Sequence, residues 1–176
     1  MSKNTYMIGV TGHRYLPEEK LPALTRYVND FLAETMKNHS ETTVTVMSAL
    51  AEGADMLCAK LALDMGLRLV IPLPMGASEY RKDFHGNAAS MFDCLLSMAD
   101  EVFTVTPEEP VPAHPPRGFY YRQANIYIAK HSNILLAIWD GVRRETPDRA
   151  GTWETIKLAQ DYGKKVYMMG GSELYA

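Results

Sequence analysis

A chain of 176 residues, 47% apolar and 22% charged, has the length and composition of one globular domain with a sizeable core. Its formal net charge of −3 and pI near 5.9 argue against a nucleic-acid partner, because such binders usually carry a basic excess. No apolar run approaches the ~20 residues of a membrane span, and the N-terminus lacks a signal-peptide pattern, so no membrane is expected and the protein reads as cytoplasmic.

Strand and helix patterns alternate along the chain. Tyr6 to Val10 reads as a first strand. Between Pro17 and Asn38 the residues Leu21, Leu24, Val28, Phe31 and Leu32 recur at helical spacing, with Pro17 and Pro22 at the tolerant start. Thr42–Met47 is a β-branched second strand. A helix over Ala54–Met65 follows, stopped by Gly66, and then a strand over Leu67–Leu73. The pattern predicts one helix over Glu79–Met98, with Ser78 as its N-cap, and a strand over Glu101–Thr106. Residues 106–118 hold five prolines and read as an exposed excursion with the character of a lid. Phe119–Lys130 returns to helix, Ile134–Trp139 is an apolar strand, and 140–151 is a polar loop with three arginines. A helix over Thr152–Tyr162 and a strand over Lys165–Met169 end the pattern. Cys58 and Cys94 lack CxxC spacing and read as reduced and buried.

Several strands are apolar on both faces. Alternation with helices then gives an α/β fold: one Rossmann-like three-layer sandwich over residues 1–176, with a mainly parallel central sheet. Ligands of such sheets bind beyond the carboxyl ends of the strands, so the strand-to-helix loops hold the candidate site.

The first loop, GVTGHR, offers Gly9 and Gly12 for close backbone approach and Thr11, His13 and Arg14 as donors. It is not GxGxxG, yet it suits phosphate or ribose oxygens. His13 fits equally a donor or a side chain packed under the turn. The second loop runs from Ser48 to Gly53, Ala54 and Asp55, where a helix mouth leaves N–H groups for an anion. Asp55 is either a partner of the helix dipole or an acceptor for a ribose hydroxyl. In the third loop Tyr80 can stack on a base and Arg81 or Lys82 can reach a phosphate, although an ordinary helix entry reads the same way. Arg122 and Asn125 share a helix face, and Arg suits phosphate. Asp140 and Gly141 end the apolar strand, and Gly151, Thr152 and Glu154 open the last helix. The arginines of that loop read as solvated. Recurring Gly/Thr-rich helix mouths favour one anionic ligand. No metal-ligand spacing and no cofactor fingerprint is present, and the cofactor expectation is none.

GVTGHR, SALAEGAD, YYRQAN, and LLAIWDG followed by GTWET, in that order over roughly residues 7–169, resemble the SLOG superfamily. This Rossmannoid group includes LOG (lysine-decarboxylase-like), DNA-processing protein A and YpsA-like proteins. The resemblance implies binding of a nucleotide or nucleotide-derived small molecule, through phosphate and ribose, by a sensor or binding protein. By analogy with relatives it implies a homo-oligomer. It also offers a second reading, an N-glycosidase acting on a nucleoside monophosphate, as LOG enzymes are. Arg122 then matches the helix arginine, Gly151-Thr152 the GT, and Glu154 the first acid of GTxEE, so that Glu154 and Arg122 are the catalytic candidates. Thr155 replaces the second acid, Gln123 the motif lysine, and no PGG precedes.

Overall fold

The structure is a computed structural model that describes residues 4–170. Six strands form one sheet: β1 (Thr5–Gly12), β2 (Thr43–Met47), β3 (Arg68–Leu73), β4 (Glu101–Thr104), β5 (Ile134–Ile138) and β6 (Lys165–Met169). All neighbours are parallel, in the order β4-β3-β2-β1-β5-β6. The helices are α1 (Leu21–Asn38), α2 (Ala54–Asp64), the single turn α3 (Ala77–Tyr80), α4 (Gly86–Met98), α5 (Arg117–His131) and α6 (Thr152–Asp161).

Apolar burial on both faces explains the architecture. On one face Leu24, Val28 and Leu32 of α1, Cys58 and Leu61 of α2, and Phe92 and Leu95 of α4 meet Ile8, Val10, Val46, Leu69 and Ile71. On the other, Ala124 and Ile128 of α5 and Ile156 and Ala159 of α6 meet Leu135, Ala137 and Met47. Removing this area from water is the main stabilising contribution.

The order reverses at β1. The chain steps outward through β2, β3 and β4, then returns to β5 on the other side of β1. The connections leaving β1 and β5 therefore part to opposite faces, and a crevice opens at their carboxyl ends. Register places Gly12 beside Ile138 there, and the His13 N–H continues the ladder to the Ile138 carbonyl at 3.2 Å.

Three expectations change. The helix expected over 79–98 is broken: α3 passes into a 3₁₀ turn at Arg81–Asp83, and α4 restarts at Gly86. The N-cap of α3 is Gly76, with Ser78 inside the turn. The apolar pattern runs across the break because Tyr80, Phe84 and Phe92 pack as one aromatic cluster. The proline-rich excursion is exposed as read, but it is no free lid, being pinned to α5. Gln123 Oε1 accepts the N–H groups of Glu108 and Glu109, and Arg122 and Gln123 hold the Glu109 carboxylate. Cys58 is buried as read, whereas Cys94 is exposed.

Candidate functional site

A cleft of about 240 Å³ occupies the crevice. Its wall on the β1 side is Thr11, Gly12, His13 and Arg14. Asp55 and Tyr80 enter from α2 and α3, Tyr121 and Asn125 from α5, and Trp139, Arg144, Thr146, Gly151, Thr152 and Trp153 from the β5–α6 connection. Of the sixteen residues singled out from the sequence, the cleft thus gathers Thr11, Gly12, His13, Arg14, Asp55, Asn125, Gly151 and Thr152.

The other eight do not line it. Gly9 is mid-strand, and a Cβ there would meet Ser132 Oγ at 2.1 Å and Ile128 at 2.8 Å; α5 rests directly on the strand. Gly53 has φ +88, and a Cβ would meet the carbonyl oxygens of Arg14 at 2.3 Å and His13 at 2.5 Å. The Ala54 N–H donates to the His13 carbonyl at 3.0 Å. The helix mouth expected to receive an anion is therefore filled by the chain leaving β1. Ser48 is fully buried; its hydroxyl donates to the Asp55 carbonyl at 3.0 Å and accepts the Leu50 N–H at 3.2 Å. Gly141 shapes the exposed turn beyond β5.

Asp140 sits just outside the cleft. Arg144 grips both of its oxygens at 3.0 and 2.8 Å, and the Val142 N–H adds a third bond. The Arg144 guanidinium holds this carboxyl far below the usual carboxylate range. His13 Nε2 lies 3.1 Å from the Asp140 amide nitrogen and 3.2 Å from Asp140 Oδ1. Without a hydrogen Nε2 accepts the first contact; with one it donates to the second. His13 thus ties the end of β1 to the end of β5.

Arg122 and Glu154 are committed elsewhere. Arg122 Nε donates to Glu109 at 3.0 Å, and its Nη1 to the Arg149 carbonyl at 3.1 Å. Glu154 Oε1 accepts the Thr146 N–H at 2.9 Å, while Oε2 accepts the Thr146 hydroxyl at 2.7 Å and the Gly151 N–H at 2.6 Å. Burial pushes its carboxyl up, but these donors outweigh that and leave it below its ordinary value. Both side chains line a separate groove beside the cleft, with Lys157 and Asp161. Thr155, at the position of the second acid, is buried and donates its hydroxyl to the Gly151 carbonyl. In the third loop Arg81 pairs with Asp93 and Lys82 with Glu79, so neither reaches the cleft.

Asp55 is the opposite case. It is only 7% exposed, lies in the first turn of α2, and among the described residues its carboxylate accepts one bond, from the Ala51 N–H at 3.2 Å. Burial pushes its carboxyl up to about 7, against smaller lowering effects from that bond and from Arg14.

Of the aromatic lining the sequence pointed to Tyr80 alone. The rings of Trp139 and Trp153 stack at 5.3 Å and 15°, and Arg143 lies 4.6 Å from the centre of the Trp153 ring. Arg14 lies 5.4 Å from the centre of the Tyr121 ring. Tyr121 donates to Asp83, which Arg117 also holds at 2.6 Å. The Tyr80 hydroxyl donates to the Ala49 carbonyl at 2.9 Å. One signal was available: Tyr121 lies four residues before Asn125, on the same helix face. Among the described residues no group of three or more His, Cys, Asp or Glu is placed to hold a metal ion, and no helix is long and apolar enough to cross a membrane.

The fold is similar to that of DNA processing protein A from Streptococcus pneumoniae, at 18% identity and TM-score 0.62, over 93% of this chain and 50% of that one. It is also similar to DNA processing protein A from Helicobacter pylori, at 16% identity and TM-score 0.58, over 93% of this chain and 64% of that one. The chain thus spans only half to two thirds of these proteins. No curated protein matches it. The Helicobacter protein is described by its single-stranded DNA binding mode, which overturns the expectation that nucleic acid is no partner of such a chain. Net charge averages over the whole surface, whereas Arg14, Arg143 and Arg144 gather about one cleft. The family model for DNA recombination-mediator protein A matches residues 3–174, and the chain belongs to that family, within the SLOG Rossmannoid superfamily.

Proposed function

We propose that this chain, acting as one Rossmannoid domain, binds single-stranded DNA, and that the cleft between the ends of β1 and β5 takes a nucleotide unit of the strand. The observation that carries the reading is the meeting of the exposed cation Arg14 with Tyr80, Tyr121, Trp139 and Trp153 in one cleft at the switch point, beside Arg144 held on Asp140. Single-strand binders combine cations that follow the phosphates with aromatic side chains that meet the bases. Thr152 and Trp153 add the first turn of α6, where N–H groups have no intrahelical partner and suit a phosphate oxygen. The family and the Helicobacter relative support the same reading. Glu154 and Arg122, spent on Thr146, Gly151 and Glu109, lend no support to the glycosidase reading.

The test is a fluorescence-anisotropy titration with a labelled single-stranded oligonucleotide, its duplex and a mononucleotide, at stepped salt. The single strand is expected to bind more tightly than the other two. Arg14→Ala is expected to weaken it about tenfold and to lower the salt slope by about 0.7, the share of one phosphate contact on a single strand. Equal binding of the mononucleotide would return the reading to a small-molecule sensor. Absence of salt-dependent binding to the single strand would reject the proposal.

A further inference from the structure

The cleft has a cationic rim and a floor of another chemistry. Thr11 and Asp55 are each 7% exposed, and both line the cleft. The Thr11 hydroxyl makes no hydrogen bond among the described residues. Asp55 engages one carboxylate oxygen, with the Ala51 N–H, and leaves the other without a partner among those residues. Among the described residues the unpartnered side-chain atom that is sealed off entirely is the Thr45 hydroxyl, and the Thr11 and Asp55 oxygens line the cleft. Burying a polar atom unpaired is costly, and a ligand group that pairs with it recovers that cost.

A phosphate does not suit this floor. A phosphate brings no N–H donor for the Thr11 and Asp55 oxygens, and the nearest helix N–H, that of Ala54, is already given to the His13 carbonyl. The exposed Arg14 guanidinium lies out at the mouth, over Tyr121. What suits the floor is a flat, uncharged group with N–H donors on its edge, walled by rings. Thr11 both donates and accepts, and Asp55 accepts. The Watson–Crick edge of every natural base carries an N–H group, and unstacked bases in protein pockets are read along that edge. Resting on the proposed binding of single-stranded DNA, we propose that the cleft seats a nucleobase on its floor, its edge read by Thr11 and Asp55, while the phosphate stays at the rim on Arg14. This reverses the orientation that GVTGHR suggested, in which Thr11 and Gly12 held phosphate.

The experiment compares a thymidine 20-mer with an abasic strand of equal length and charge, by anisotropy at fixed salt. Wild-type protein is expected to bind the thymidine strand at least tenfold more tightly, because a site built to hydrogen-bond an edge rejects a ligand lacking it. Thr11→Val and Asp55→Asn are each expected to shrink that ratio threefold or more and to leave the salt slope unchanged, whereas Arg14→Ala weakens both strands alike. Thermal melts of the two floor variants check that each folds, and the wild-type ratio needs no variant. Equal wild-type affinity for the two strands, or floor variants that keep the full ratio, overturns the base seat while the DNA reading stands. Binding of neither strand overturns both.

Discussion

The first turns of α2 and α6 each carry an acid at the mouth of the same crevice, and the two acids end in opposite states. At α6, Glu154 is saturated: three donors, from Thr146 and Gly151, fill its oxygens and keep it ionised. At α2, Asp55 has one donor and a place on the cleft floor, and burial drives it toward the neutral form. The difference comes from the backbone before each helix. The 140–151 connection folds back so that Thr146 reaches Glu154, whereas Ser48–Gly53 turns tightly, with Leu50 at φ +57, under the chain leaving β1. An acid in a first helical turn is thus a structural latch where a loop returns to it, and a group left for a ligand where the loop does not.

The strongest way to break the contrast is to open the α2 mouth. Gly53→Ala places a methyl within 2.6 Å of the Arg14 carbonyl group, at a φ of +88 that side chains rarely adopt. Backbone atoms there cannot yield cheaply, so a loss on the order of 4 kcal/mol is expected. Urea denaturation measures it, and a change under about 1 kcal/mol would show that the mouth is loosely held.

Next in size is Asp55→Asn, which separates the two acids by the sign of their pH dependence. The folded-state pKa of about 7 lies above the ordinary 3.8, so the folded protein holds an extra proton between those values. The contribution of Asp55 is then greatest below about pH 4, falls as pH rises through the window, and levels off above about pH 7. At 1.36 kcal/mol per pKa unit the loss approaches about 4 kcal/mol. Asn keeps an acceptor for the Ala51 N–H and carries no charge. The variant is therefore expected to be more stable than wild type by about 3 kcal/mol at pH 8, with the gap closing by pH 4. Thermal melts across that range decide it, and a gap that does not vary with pH would remove burial as the cause.

The sequence carried the fold further than the site. Strand–helix alternation and two-faced apolar strands such as ILLAI require a covered parallel sheet, and the strand-end rule leads to the right crevice. What local pattern lacks is direction. Gly9 and Gly12 look equivalent in GVTGHR, yet Gly9 lies under α5 and Gly12 at the cleft, a difference made by a helix more than 100 residues later. Arg122 looked available because its partner, Glu109, sits in a proline-rich stretch that shows no helix pairing. Tyr121 and Trp153 stayed unassigned because nothing in their spacing separates an aromatic side chain facing a cleft from one facing the core.

The smallest effect tests the α6 latch. In Glu154→Gln, one amide oxygen replaces two carboxylate oxygens, and the amide NH₂ turns toward a donor it cannot serve. Hydrogen bonds from Thr146 and Gly151 that were charge-assisted become neutral or are lost. A cost of about 2 kcal/mol at pH 7 follows. The sign with pH is opposite to that of Asp55. A depressed carboxyl contributes stability above its ordinary 4.5 and loses it as pH falls through the folded value, so the penalty for Gln should shrink in acid. Because Glu154 faces the side groove with Thr146 between it and the cleft, the variant should keep its preference for the thymidine strand over the abasic one once folded. Loss of that preference with the fold intact would move Glu154 into the binding site and dissolve the contrast between the two helix mouths.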